Sequence, residues 1–166
     1  MAQTLIEHPN REKAGSKATK SIVLLLLIAS AALITIVTVG GWSELQGAQP
    51  VAFAYIFLYI LMAFFVARWN RGVLPVAAAL AVLFAVVAAV AGPAWFERDK
   101  AGFDTPLLEP GILGLLTLIL VPVQVLLVAF AMRGFAQKWN VEVEIRRDDD
   151  YPHAGGRGRN PQPAGV

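Results

Sequence analysis

The chain has 166 residues, 57% of them hydrophobic and only 16% charged, with a formal net charge of +2. Soluble domains carry about 25% charged residues, so this composition points to lipid, and so small a net charge gives no footing for a nucleic-acid partner. Cysteine is absent, which excludes a disulfide framework, a thiolate metal site, a Cys-held iron–sulfur cluster and a cysteine nucleophile.

In chain order, residues 1–20 form a polar N-terminal segment, loose over its first sixteen residues, whose Lys17 and Lys20 anchor the apolar run that follows. A bilayer core about 30 Å thick needs roughly 20 apolar residues in a helix, and four runs near that length carry no charge short of Arg68 and Arg133 at the ends of the second and fourth. The first, residues 21–41, ends at the interface anchor Trp42. Its Ala29-Ser30-Ala31 is similar to a signal-peptide cleavage site, but the run continues past it through Val39, longer than a typical h-region, so the span is expected to stay attached. The second, about 51–68, is rich in aromatic residues, starts after Pro50 and ends at Arg68-Trp69-Asn70-Arg71. The third, 73–95, is dominated by Ala and Val and closes with Gly92-Pro93, a helix-stopping pair. The fourth, about 111–135, is Leu-rich and contains Pro122. The fold class is thus an all-α membrane protein of four transmembrane helices within residues 21–139.

Orientation follows from the lysines and arginines of the flanks. Arg11, Lys13, Lys17, Lys20, Arg68, Arg71, Arg133, Lys138, Arg146, Arg147, Arg157 and Arg159 fall on one side, against Arg98 and Lys100 on the other. Both termini are therefore expected in the cytoplasm, and the chain in a bacterial inner membrane. After the fourth span, residues 133–139 read as a helical extension with Phe135 and Trp139 on one face. The period then changes. Val141, Val143 and Ile145 alternate with charged residues, the pattern of a short half-buried strand that needs something to cover it: another chain, or the loop at 68–72. Residues 148–166, with Asp148, Asp149, Asp150 and a Gly-, Pro- and Arg-rich end, are expected to be a disordered tail.

Function in a membrane protein usually shows as an ionisable residue inside the hydrocarbon, and short of Arg68 and Arg133 at their ends the four runs contain no Asp, Glu, Lys, Arg or His. A proton-coupled carrier lacks its carboxylate, and haem lacks its histidine, since His8 and His153 both fall outside the spans. No catalytic residue, cofactor or metal site is assigned; Asp148 to Asp150 with His153 is a weak cation motif in a tail. The polar features at depth are Pro122 with Gln124 in the fourth span, read as packing glue, and Tyr55 and Tyr59 one turn apart in the second. Ala77, Ala81, Ala85 and Ala89 recur every four residues, a small-residue seam for close helix approach, within the chain or with a partner.

In general plan the chain resembles accessory subunits and assembly factors of bacterial inner-membrane complexes, respiratory ones among them. The resemblance rests on architecture alone, so it carries no functional residue. It implies a non-catalytic scaffolding subunit whose partners are the bilayer and other membrane-protein subunits. A small transporter or channel component acting as an oligomer is the alternative, and a lipid- or quinone-modifying enzyme the least favoured reading.

Overall fold

The computed structural model describes residues 3–45, 47–98 and 106–147. Four helices, α2 (Ala14–Gly40), α3 (Gln49–Ala67), α4 (Val73–Glu97) and α5 (Pro110–Ala136), are long and apolar enough to cross a membrane. The shortest has 19 residues; at 1.5 Å per residue it is about 28 Å long, just the hydrocarbon thickness. Preceding them are a strand β1 (Gln3–Glu7) and a single helical turn α1 (Pro9–Glu12), and a second strand β2 (Val143–Arg147) follows. Pro starts the first turn of α1, α3 and α5, where its missing N–H is not needed.

Three boundaries differ from expectation. Helix α2 begins at Ala14, within the stretch read as loose, because Ser16 and Thr19 are buried against the end of α5, which offsets the poor helix propensity of Gly15. There Gln137 Nε2 donates to the Gly15 carbonyl (3.3 Å) and to Thr19 Oγ1 (3.0 Å). Helix α4 runs through Gly92-Pro93 to Glu97 rather than stopping at the pair. A proline ring forfeits one backbone bond, which a long helix packed on a neighbour tolerates. Helix α5, in turn, runs through Pro122 but ends at Ala136, short of the expected 139, where Lys138 turns left-handed at φ 50°.

The strand expected from Val141 to Ile145 forms over Val143–Arg147 and pairs antiparallel with β1, Leu5 opposite Ile145 and Glu7 opposite Val143. Val141 lies outside it and is exposed. The expected pairing with the loop at 68–72 is corrected: the chain's own strand β1 takes one edge of β2, and the other edge has no partner among the described residues. The loop instead grips the end of α5. Arg71 donates from Nε to the Phe135 carbonyl at 2.7 Å and from Nη1 to Asn140 Oδ1 at 3.1 Å, its guanidinium 4.1 Å above the Phe135 ring. Both strands and the α3–α4 turn thus lie at one end of the bundle, called here the terminal end.

Helix α5 is the centre of the packing, with α4 on one side and α2 on the other; α3 packs on α2 and only thinly on α4. The four-residue alanine repeat of α4 is buried at Ala77 and Ala81, half-buried at Ala85 and exposed at Ala89. Four residues turn about 400°, so a strict repeat drifts some 40° per step and leaves the interface by the fourth member. The buried stripe instead advances by steps of three, four or seven, through Leu74, Ala77, Ala81, Ala88, Gly92 and Trp95. At Gly92 the helices come close to Gly114, where an added Cβ would meet the Gly92 carbonyl at 3.1 Å. Ala77 and Ala81 therefore make contact within the chain.

Candidate functional site

The polar side chains at membrane depth converge. The midpoints of α2, α3 and α5 fall near residues 27, 58 and 123, and Ser30, Tyr59 and Gln124 sit within three residues of them. Tyr59 Oη donates to Gln124 Oε1 at 2.8 Å, Gln124 Nε2 donates to Ser30 Oγ at 2.9 Å, and Ser30 Oγ donates to the Leu26 carbonyl at 2.7 Å. All three residues are fully buried. The arrangement closes on itself: every polar atom of the path points at another, and a backbone carbonyl ends it. Desolvated groups of this kind hold helices in register.

Tyr55, one turn from Tyr59, packs edge-on against it at 5.8 Å between centroids and reaches Phe84 of α4 at 4.7 Å. Of the residues singled out from the sequence, Gln124 and Tyr59 are brought together, and Tyr55 caps their cluster toward α4. Pro122 is exposed on α5 and takes no part in the polar path. Ser30 was missed. Its Ala29-Ser30-Ala31 context drew attention as a possible cleavage site, whereas Ser30 and Ala31 are core positions. A helical step from Leu27 and Ile34, both buried, is the signal that would have placed Ser30 on the same face.

Above the Tyr55–Phe84 contact, in the half of the bundle away from the terminal end, the helices leave a recess of about 150 Å³. It is bounded by Ile34 and Val37 of α2, Val51 and Ala52 of α3, Phe84, Val87, Ala88 and Trp95 of α4, and Leu120 of α5. Two threonines, Thr38 and Thr117, also line it, but each donates its hydroxyl to the carbonyl four residues back, Ile34 and Leu113, at 2.7 Å. The surface of the recess is accordingly apolar.

The two ends of the bundle differ in chemistry. At the terminal end, Trp69 and Trp139 meet edge to face at 5.2 Å, Lys20 Nζ lies 4.2 Å over the Trp69 ring, and Arg11 Nε donates to the Trp139 carbonyl at 2.9 Å. Trp69 takes φ 62°, the left-handed position after a helix that usually falls to glycine. Its N–H bonds to the Val66 carbonyl and that of Asn70 to Phe65, which together close the end of α3. Nearby, Lys17 pairs with Glu12 at 2.9 Å, and that lysine holds the Glu12 carboxyl below the usual carboxylate range. At the far end, Arg98 Nη1 donates to the Glu44 carbonyl at 2.7 Å and lies 3.8 Å from the Glu44 carboxylate, which is nearly buried. This clamps the turn after α2 to the end of α4. Neither cluster was legible as a contact in the sequence, because the partners are separated by 54 and 128 positions.

Among the described residues no three His, Asp or Glu side chains gather as metal ligands; Asp148 to Asp150 and His153 lie outside the described residues, as does the tail. Set against family models, curated proteins and solved structures, the chain matches none of them.

Proposed function

We propose that this protein is a non-catalytic accessory or scaffolding subunit of a larger complex in a bacterial inner membrane, with both termini in the cytoplasm. One observation carries the reading: Tyr59, Gln124 and Ser30, the polar cluster at mid-membrane, spend their hydrogen bonds on one another. A transporter needs polar groups facing a path and a membrane enzyme needs an acid, base or metal ligand at depth. The outward faces of α3 and α4, with Phe53, Phe57, Ile60 and Phe64 on one and Val82, Val86 and Val90 on the other, are exposed and apolar, suited to lipid and to the helices of partner subunits. Orientation rests on charge: Arg11, Lys13, Lys17, Lys20, Arg68, Arg71, Arg133 and Lys138 belong to the terminal end, and basic residues favour the cytoplasmic side.

The test is purification in mild detergent from the native membrane. Other membrane subunits at fixed stoichiometry are expected. A homogeneous preparation of this chain alone that moves a solute across proteoliposomes would overturn the proposal in favour of a transporter. Because the chain has no cysteine, a single Ser43→Cys should react with an impermeant thiol reagent from the periplasmic side, and Asn70→Cys should not; the reverse pattern would invert the orientation.

A further inference from the structure

We infer that the recess between α3 and α4 is a binding site for one acyl chain of a bilayer phospholipid, entering sideways from the membrane and ending on Phe84. The lining excludes water as the occupant, since its two hydroxyls are turned to the backbone carbonyls of Ile34 and Leu113 and a bound water needs two to four polar partners. Size excludes a protein helix. A helix with its side chains is about 10 Å across, whereas a recess of about 150 Å³ matches apolar cavities that stay dry and take a guest of about six carbons. What fits is the end of a hydrocarbon chain.

The shape of the recess follows from the choice of residues. Ala52 and Ala88 stand on the facing walls of α3 and α4, where larger side chains would close the gap. Below them, Tyr55 and Phe84 meet at 4.7 Å and form a floor. Beside the opening, Val51 and Val87 are 56% and 52% exposed, so the gap faces the hydrocarbon directly. Its other end reaches Leu45, in the turn between α2 and α3, and Trp95, near the end of α4, where the headgroups begin. A chain descending from that level passes between the alanines and stops at the aromatic floor, near mid-membrane.

The full-length chain, reconstituted in phosphatidylcholine vesicles doped with a phosphatidylcholine bearing a diazirine close to the end of one acyl chain, is irradiated and its adducts are mapped by mass spectrometry. Adducts at Ala52, Phe84 and Ala91, the half-buried lining of the recess, are expected to exceed those at Val82, Val86 and Val90, on the open face of α4, several-fold. Ala88→Phe, which fills the recess, should abolish the first group and spare the second; Ala52→Leu does the same from the opposite wall if the first variant misfolds. Adducts spread evenly over both groups, or confined to the open face, would overturn the inference. Neither outcome bears on whether the protein is an accessory subunit, which co-purification decides.

Discussion

Replacing Gln124 with Leu is the most direct probe of what holds α2, α3 and α5 together. The two side chains are close in volume, so no cavity opens and the effect isolates the polar contacts. Two bonds disappear, from Tyr59 and to Ser30, of 2.8 and 2.9 Å. Interhelical bonds in membranes average about 0.6 kcal/mol each, and stranding the buried Tyr59 hydroxyl adds about 1 kcal/mol, the lower end of the penalty for an unpaired buried group. The single variant should therefore lose about 2 kcal/mol. Tyr59→Phe removes one bond and leaves the Gln124 oxygen without its donor, for about 1.6 kcal/mol. The double variant loses both bonds but strands nothing, because Ser30 still donates to the Leu26 carbonyl. It should be milder than the sum of the singles by about 1 kcal/mol or more. Reversible unfolding in bicelles measures all three, with Thr35→Leu, at an exposed position of α2, as the control. Additivity to within about 0.3 kcal/mol would refute the closed path, and with it the observation on which the proposed function rests.

Two further outcomes follow from the backbone. Lys138 is exposed and left-handed after the end of α5, with φ 50°; Lys138→Gly should stabilise by about 1 kcal/mol, since a side chain there costs roughly 1 to 2 kcal/mol, and a loss of stability in the same unfolding assay would contradict the geometry. Gly114→Val should destabilise by about 1 to 3 kcal/mol through overpacking, because a Cβ there meets Phe96 at 2.8 Å and the Gly92 carbonyl at 3.1 Å; an unchanged midpoint would mean that α4 and α5 approach less closely than described.

Legibility from the sequence was good for the helices and poor for what joins them. Four apolar runs read directly as four helices because lipid imposes one length and one composition on each. Gln124 was readable as helix-to-helix glue, since an amide at mid-membrane has few other uses. Ser30 was not, because a small residue among small residues carries no signal until its facing neighbour is known. The alanine repeat misled for a geometric reason, a period of four on a helix of 3.6. The segment around Val143 announced an edge to be covered, yet a strand pattern cannot name its partner. The same holds for Trp69, whose left-handed turn contradicts the usual preference for glycine and is intelligible only beside Trp139 and Lys20.

Two different devices hold this bundle, and the recess lies where neither acts. Apolar contacts discriminate poorly in lipid, since a leucine gains as much from an acyl chain as from a neighbouring helix. Helices α2, α3 and α5 are therefore fixed by the hydrogen bonds of Ser30, Tyr59 and Gln124. Helix α4 has no Ser, Thr, Asn or Gln and cannot join that path. It depends on small residues instead, Ala77, Ala81 and Gly92, which bring its backbone against α5. The α3–α4 seam receives neither the polar link nor the small-residue approach along its length; the aromatic contacts of Tyr55 and Tyr59 with Phe84 bridge it at mid-depth. Beyond Phe84 nothing draws the two helices together, and Ala52 and Ala88 leave space that only an apolar guest can fill. The opening is thus a consequence of how the other interfaces are made. An acyl chain seated there would supply the packing that the seam lacks, which ties the site to the cohesion of the bundle.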